Sequence, residues 1–146
     1  MSFQAIVPVR FQDVDAAGVL FFGRIFDYCH QAYEELIGSF GLDRAHYFAG
    51  AEYLVPIAHA RADYRRVIKL GERVTVTIDI LRVGRASVRL RYRVTGPSME
   101  DLRAEVETVH AFVDRETMRP ISIPEPLRGF FLEHLVAEEI PERVPK

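Results

Sequence analysis

The 146-residue chain has the length of one domain and can bury a hydrophobic core. Its 49% hydrophobic and 27% charged residues are typical of a globular protein, and its net charge of -2 argues against nucleic acid as a partner. The single cysteine leaves no disulfide framework or cysteine-based metal cluster. No apolar run reaches membrane-spanning length, and the first residues lack the segments of a signal peptide. We therefore expect one cytoplasmic domain over residues 1–146 that does not engage a membrane.

The first predicted element is a half-buried strand over residues 3–11, where apolar and mostly polar side chains alternate. Residues 13–18 are predicted to form a loop, and a long helix follows over residues 23–40. The apolar residues of this helix recur three and four positions apart and form a face wide enough to pack against a sheet. Gly38 and Gly41 mark its end.

Four more strands are predicted after a linker at residues 42–52, and they cover residues 53–68 (bent at Pro56), 74–80, 88–94 and 102–113. Gly84 and Arg85 fit a two-residue hairpin turn with glycine at its first central position. A proline-rich tail begins at about Arg115 and contains one short helix around residues 127–135. Hairpin-length turns join the last three strands, so the pattern predicts an α+β fold. In it an antiparallel sheet of about five strands wraps around one long central helix.

Two carboxylates and a glycine, Asp13, Asp15 and Gly18, lie between the first strand and the long helix. A helix N-terminus offers free N–H groups and a partial positive charge, which a developing oxyanion requires. A nearby carboxylate can attack a substrate or activate water, and Asp15 is closer to the helix than Asp13. An Asp13–Asp15 pair, or two ordinary loop carboxylates, are the alternatives. A calcium loop is excluded, because Arg24 stands where its closing glutamate is needed.

Histidine and arginine residues give weaker signals. His59 shares a face of an extended strand with Ile57, Arg61 and Asp63, but a single histidine on a strand is more often structural than catalytic. Arginines cluster at residues 61–66 and 82–93. They form either a solvated strand face or a site for a phosphate-bearing ligand, since guanidinium groups bind phosphate in a bidentate manner. No spacing of histidine and aspartate matches a zinc site.

The run RFQDVDAAGVLFF at residues 10–22, followed by the helix, resembles the hotdog-fold acyl-CoA thioesterases of the 4-hydroxybenzoyl-CoA thioesterase family. The resemblance covers nearly the whole chain. Within that family, CHQAYE at residues 29–34 and LVPIAHA at residues 54–60 are most similar to the 1,4-dihydroxy-2-naphthoyl-CoA thioesterases of quinone biosynthesis. This resemblance implies hydrolysis of an aryl-CoA thioester to the free acid and CoA, with CoA as part of the substrate and no retained cofactor. It also implies homodimers joined edge to edge through their sheets, commonly paired into homotetramers, with active sites between subunits.

The same resemblance assigns roles to individual residues. Asp15 aligns with the catalytic carboxylate, acting either as nucleophile or as general base. The backbone N–H of Phe22 takes the oxyanion position, and Gly18 lets the loop turn close to the thioester. Phe21 and His59 are candidate substrate-binding residues, and Arg85 falls where the family binds the nucleotide end of CoA.

The choice of acyl group depends on aromatic residues around the helix start. Phe22 stands where many relatives carry Tyr or His, and with Phe21, Tyr28 and Tyr33 it predicts an apolar pocket suited to an aromatic acyl group. The alternative is that Tyr33 and at least one of the phenylalanines pack the helix onto the sheet. The alternatives are a 4-hydroxybenzoyl-CoA or a short- to medium-chain acyl-CoA thioesterase, and a non-catalytic module that binds acyl thioesters of CoA or of a carrier protein. A dehydratase on the same fold ranks lower, because that chemistry requires a histidine in the loop region, where this chain has Asp15.

Overall fold

A computed structural model describes residues 2–136 as one five-stranded sheet, one two-stranded sheet and two α-helices. Their bounds are β1 Phe3–Pro8, α1 Arg24–Ser39, β2 Tyr53–Leu54, β3 Ile57–Tyr64, β4 Arg73–Val83, β5 Ser87–Thr95, β6 Leu102–Ala111, β7 Val113–Asp114 and α2 Leu127–Glu133. The larger sheet is antiparallel throughout, in the order β1-β4-β5-β6-β3, and β2 pairs with β7. The prediction of a five-stranded antiparallel sheet with one long helix is confirmed.

The core lies between α1 and one face of the large sheet. The buried side chains of α1 are Ile25, Tyr28, Cys29, Ala32, Tyr33, Leu36 and Ile37. Alternate residues of β4 and β5, such as Val76 and Leu90, have no exposed surface and belong to the same cluster. Each large apolar side chain buried here contributes about 1.5–3 kcal/mol. The packing therefore fixes α1, and with it the loop before its first turn, against the sheet.

The predicted strand over residues 53–68 is wrong in its extent, because the chain forms two strands that belong to different sheets. Tyr53 and Leu54 pair with β7, whereas pairing with β6 starts at Ile57. Pro56 lies between them and has no N–H to donate, and its ring restricts the preceding residue. The predicted linker before β2 also contains a helical turn, at His46–Gly50.

The β4–β5 hairpin turns one residue later than predicted. Gly84 N–H donates to Ser87 O at 2.8 Å, so Arg85 and Ala86 form the tip. Gly84 is not among the residues with positive φ in the described chain, which the predicted turn would require. The reason is a bulge between Ile80 and Arg82 that shifts the pairing register close to the turn.

β3 forms one edge of the large sheet and pairs only with β6 among the described strands. Tyr64 lies opposite Ala104, whose side chain is buried towards α1, so Tyr64 is on the α1 side of the sheet. A bulge between Ile57 and His59 puts these two residues opposite His110 and Val109. The prediction that Ile57 and His59 share a face is therefore wrong: His59 lies on the face turned away from α1.

The C-terminal helix agrees with its predicted position, since α2 spans Leu127–Glu133. Two prolines of the predicted tail, Pro141 and Pro145, lie outside the described residues.

Candidate active site

The segment between β1 and α1 folds back on itself as a tight ribbon over residues 13–21. Phe21 N–H donates to Asp13 O, and Asp15 N–H donates to Val19 O, both at 2.9 Å. Gly18 N–H donates to Asp15 O at 3.0 Å and closes the turn with φ at +76°, a conformation that favours glycine. The Asp13–Phe21 pair is the end of the ribbon that leads into α1. Asp15 lies two residues, roughly 7 Å, farther along the ribbon from this pair.

Backbone hydrogen bonds attach this ribbon to the segment that follows β3. Leu20 N–H donates to Ile68 O at 2.7 Å, and Leu70 N–H donates to Gly18 O at 3.0 Å. Ile68 is itself buried in the core. The ribbon is therefore held from two sides, by α1 and by the chain beyond β3, and Asp15 has a fixed backbone position.

Asp13 is engaged by side chains of α1. Tyr28 donates its hydroxyl to Asp13 Oδ2 at 2.8 Å, and Arg24 Nε lies 3.8 Å from Asp13 Oδ1. Burial and the Asp13 carboxylate together raise the pKa of Tyr28 above its ordinary value, so Tyr28 stays a donor. Asp13 ties the ribbon to the helix, which separates its role from that of Asp15 and disfavours a catalytic pair.

Asp15 is exposed and uses only one carboxylate oxygen within the protomer. Its Oδ1 accepts the N–H groups of Ala17 at 2.8 Å and Val19 at 3.4 Å, which holds the side chain in an Asx-type turn. Its Oδ2 accepts no hydrogen bond from residues 2–136. One oxygen positions the side chain, and the other is open to a substrate or a water molecule.

The start of α1 offers two N–H groups beside this ribbon. Arg24 N–H donates to Phe21 O at 2.9 Å, but the N–H groups of Phe22 and Gly23 have no acceptor within residues 2–136. Gly23 already has helical dihedral angles, with φ -69° and ψ -21°. The first N–H groups of a helix point out of its N-terminus, where the helix dipole adds partial positive charge. This end of α1 can therefore stabilise a developing negative charge.

Aromatic rings beside the helix start divide into exposed and buried pairs. Phe21 and Phe22 are 48% and 67% exposed, with ring centroids 4.8 Å apart. Tyr28 and Tyr33 are buried, and Tyr33 contacts the Tyr47 hydroxyl in the core. The two tyrosine rings therefore pack α1 onto the sheet, which is the alternative expected for Tyr33, whereas Phe21 and Phe22 remain available to an acyl group.

His59 and Arg85 are not brought to Asp15 within one protomer. Arg85 is exposed at the β4–β5 tip, where its Nη1 donates to Ser122 Oγ at 3.3 Å. The ribbon with Asp15 contacts the chain just before β4, and the 11 residues of β4 separate the two sites by roughly 30 Å. His59 lies on the outer face of β3, away from α1.

Four of the eight clustered arginines form ion pairs on the outer face of the sheet. Arg91 and Arg93 contact Asp79 Oδ2 at 2.9 and 3.1 Å, and Arg61 and Arg89 both contact Glu107. Burial opposes ionisation of Asp79, but hydrogen bonds from Ser2 and Arg91 and the charge of Arg93 hold its pKa below the ordinary value. For these four arginines the paired strand face is favoured over a phosphate site.

A cationic groove of about 520 Å³ lies closer to the ribbon than Arg85 does. It is lined by Arg66, Val67, Lys69, Leu70, Glu72, Asp101 and Arg103. Arg103 is paired with Glu72 and Asp101 at 2.8 and 2.9 Å. Lys69 and Leu70 directly follow Ile68, which bonds the ribbon. Arg66 is also paired, with Asp101 at 3.3 Å, so Lys69 is the cation of this groove that makes no ion pair within residues 2–136 and can meet an anionic group near Asp15.

Tyr64 is the residue of this region that the sequence did not reveal. Its hydroxyl donates to Phe22 O, so the end of β3 contacts the start of α1 across 42 positions of sequence. The signal that could have found it is the alternation of Ala60, Ala62 and Tyr64, which ends in one aromatic ring on the helix-facing side of an edge strand.

Residues 2–136 contain no group of three side chains arranged to hold a metal ion. Within the same residues, no helix has both the length and the apolar character to cross a bilayer.

Residues 9–131 match the sequence profile of the Thioesterase-like superfamily. A 1,4-dihydroxy-2-naphthoyl-CoA hydrolase from Synechococcus elongatus is 32% identical over 130 residues, which cover 88% of this chain and 93% of that protein. Another hydrolase of the same name, from Thermosynechococcus vestitus, is 32% identical over 119 residues, 82% of this chain and 81% of that protein.

The fold is also similar to that of solved structures. A 1,4-dihydroxy-2-naphthoyl-CoA thioesterase from Synechocystis superposes with a TM-score of 0.85, at 22% identity, over 91% of this chain and 97% of that chain. The hotdog fold expected from the sequence is thereby confirmed.

Proposed function

Because the chain belongs to the thioesterase-like superfamily, we propose that it hydrolyses an aryl-CoA thioester to the free acid and CoA. The favoured substrate is 1,4-dihydroxy-2-naphthoyl-CoA, which is the substrate in the names of the relatives described above. The observation that carries the proposal is the open Oδ2 of Asp15 on a fixed ribbon beside the unpaired N–H groups at the start of α1. A cytoplasmic location is part of the same proposal.

In the proposed reaction the thioester oxygen accepts a hydrogen bond from Phe22 N–H, which stabilises negative charge as the carbonyl carbon becomes tetrahedral. In the base route, Asp15 Oδ2 removes a proton from water, and the water oxygen attacks the carbonyl carbon. The intermediate then collapses, the carbon–sulfur bond breaks, and CoA leaves as a thiolate that takes up a proton. Asp15 Oδ1 keeps its two backbone hydrogen bonds throughout.

In the nucleophile route, Asp15 Oδ2 itself attacks the carbonyl carbon, and loss of the thiolate leaves a mixed anhydride between Asp15 and the acyl group. Water then cleaves the anhydride and restores the carboxylate. Both routes use the same open oxygen and the same oxyanion donor. Trapping the acylated Asp15 by rapid quench and mass spectrometry separates them.

An aromatic acyl group is supported by the exposed rings of Phe21 and Phe22. Aromatic pairs in offset or edge contact gain about 0.5–1.5 kcal/mol beyond the area they bury. Gly18 keeps the turn of the ribbon tight, because its positive φ favours a residue without a side chain. We assign Phe21 and the ring of Phe22 to the acyl group and the Phe22 N–H to the oxyanion.

We also propose a homodimer joined through β3. This edge strand leaves one row of backbone groups unpaired within the described chain, and Ile57 and Tyr64 are 47% and 49% exposed. If two copies of β3 pair in antiparallel fashion, every strand of the partner's sheet runs in the direction opposite to its counterpart in the first subunit. The hairpin with Arg85 of the partner subunit then lies at the same end as Asp15. A role for Arg85 or His59 in binding CoA stays a prediction that requires this dimer.

The test is the release of a free thiol, of CoA or of the carrier protein, from a panel of thioesters by the purified protein. The panel contains 1,4-dihydroxy-2-naphthoyl-CoA, 4-hydroxybenzoyl-CoA, octanoyl-CoA and the matching acyl-carrier-protein thioesters, with Asp15→Asn as the inactive control. Thiol release that is lost in Asp15→Asn supports the function. Binding of acyl-CoA without thiol release would assign the chain as a binding module, and light scattering gives the oligomeric state.

A further inference from the structure

The contact between Tyr64 and Phe22 links the end of the edge strand to the proposed oxyanion donor. Building on the proposed function, we infer that Tyr64 is a positioning residue that orients the Phe22–Gly23 peptide, so that Gly23 N–H joins Phe22 N–H as a second oxyanion donor. The contact rests on the Tyr64 hydroxyl, which donates to Phe22 O.

The backbone of Tyr64 is well placed for this function. Tyr64 is the last residue of β3, and its register opposite the buried Ala104 directs it to the side of α1. Next along the chain, Arg65 N–H donates to Arg103 O at 2.8 Å, so the strand stays attached to β6 beyond its end. A donor fixed by the sheet therefore holds a carbonyl at the helix start.

The hydrogen bond to Phe22 O affects the N–H group of Gly23. The carbonyl of Phe22 and the N–H of Gly23 belong to one planar peptide, so a hydrogen bond to the oxygen fixes the direction of the N–H. It also polarises the peptide and strengthens the N–H as a donor. Burial raises the pKa of Tyr64, which keeps its hydroxyl protonated at neutral pH.

Two observations identify Gly23 as the second donor. Its N–H has no acceptor within residues 2–136, and Gly23 has helical dihedral angles at the N-terminus of α1, where the first N–H groups point outward. Oxyanion sites commonly combine two such donors, and loss of one lowers kcat by roughly 10²–10³-fold. Loss of the positioning contact leaves both donors present but less well aligned, so a smaller loss of about 10-fold is expected.

The experiment compares Tyr64→Phe with a matched control, Tyr53→Phe. Both changes remove one hydroxyl from a tyrosine, but the Tyr53 hydroxyl has no hydrogen-bond partner in the described part of the chain. Because an interaction made in the transition state affects kcat, Tyr64→Phe is expected to lower kcat about 10-fold with KM within about 2-fold of the parent. Tyr53→Phe is expected to match the parent.

Melting temperature and light scattering are measured for the same samples, since Tyr64 lies on the proposed dimer edge. Parental kcat in Tyr64→Phe, an equal loss in Tyr53→Phe, or a loss explained by dissociation or unfolding would overturn the inference. If the parent hydrolyses thioesters and Asp15→Asn does not, a parental Tyr64→Phe refutes only the role of Tyr64. An inactive parent refutes the proposed function together with it.

Discussion

Asp15 and Arg85 lie at opposite ends of β4. The ribbon that holds Asp15 contacts the chain just before β4, and Arg85 forms the tip of the hairpin after it, roughly 30 Å away. A CoA ester whose carbonyl is at Asp15 reaches Arg85 only through a second subunit that runs in the opposite direction. The proposed nucleotide-binding role of Arg85 therefore requires the proposed β3 dimer.

Asp15→Asn should keep the fold and lose hydrolysis. The amide retains the shape of the side chain but is neither a base nor a nucleophile, and loss of general-base catalysis costs roughly 10²–10⁴-fold in kcat. Thiol release at saturating aryl-CoA measures the change, and circular dichroism checks the fold. Turnover near that of the parent would remove Asp15 from the reaction.

Asp13→Asn is the matched control, because the same change is made two residues earlier on the same ribbon. Tyr28 and Arg24 contact Asp13, so this variant should lose stability rather than activity. The asparagine oxygen can still accept from Tyr28, so the contribution of this hydrogen bond falls from about 1.5–3 kcal/mol for a charged acceptor to about 0.5–1.5 kcal/mol for a neutral one, a loss that denaturant titration can measure. An equal loss of turnover at both positions would instead indicate a catalytic Asp13–Asp15 pair.

The helix and the position of Asp15 could be predicted from local pattern. The apolar spacing of residues 23–40 was enough to place α1, which spans Arg24–Ser39 in the structure. The carboxylate before it follows from the order of the sequence alone. The helix and the position of Asp15 both depend on residues that are close in sequence, and hydrophobic periodicity describes such residues directly.

The remaining features depend on partners that are distant in sequence. The bulges after Ile57 and Ile80 change pairing register without changing the alternation of residue types, so the face of His59 and the tip of the hairpin were mispredicted. Tyr64 contacts Phe22 across 42 positions, and the alternation along β3 can place Tyr64 on the helix-facing side but does not report its partner.

Arg85→Ala should raise KM for CoA esters by about 2- to 5-fold with little change in kcat, because an exposed charge pair contributes up to roughly 1 kcal/mol. A phosphate contact far from the carbonyl stabilises ground and transition states alike. Added salt should raise the parent's KM through the same charge. Initial rates at several salt concentrations measure both effects.

Two further variants locate the phosphates. Arg82→Ala removes an equal charge from an exposed part of β4 and should leave KM unchanged. Lys69→Ala changes the cationic groove beside the ribbon. If KM rises for Lys69→Ala and stays at the parental value for Arg85→Ala, the nucleotide end of CoA binds in the groove of the same protomer.

The buried carboxylate of Asp79 should make stability depend on acid pH. Its folded-state pKa is below the ordinary 3.8, so its stabilising effect is complete above pH 3.8 and is lost as the pH falls through the folded-state value. Asp79→Asn leaves Arg91 and Arg93 without their carboxylate. Breaking a fully buried pair costs about 3–5 kcal/mol, and a smaller loss is expected here because the two arginine side chains are 23% and 39% exposed. Urea titrations of both proteins should show a gap at pH 7 that narrows below pH 3.8. A gap independent of pH would show that the Asp79 charge does not contribute.

The acyl site should prefer flat aromatic groups to long alkyl chains. Of the aromatic residues around the start of α1, Phe21 and Phe22 remain exposed and are available to contact a ring, with about 0.5–1.5 kcal/mol expected per aromatic pair. The measurement is kcat/KM for 1,4-dihydroxy-2-naphthoyl-CoA and benzoyl-CoA against octanoyl-CoA and palmitoyl-CoA.

Phe21→Leu tests the same preference from the protein side. Leucine keeps an apolar side chain at position 21 without the ring, so kcat/KM for the aryl esters should fall by about 2- to 10-fold, as the loss of one aromatic pair implies. The values for alkyl esters should change little, because leucine still offers them apolar contact. Phe48→Leu is the matched control, since Phe48 is also partly exposed but packs against His30, Tyr33 and Tyr47. A clear preference of the parent for alkyl esters would refute the aryl assignment and leave the proposed thioester hydrolysis in place.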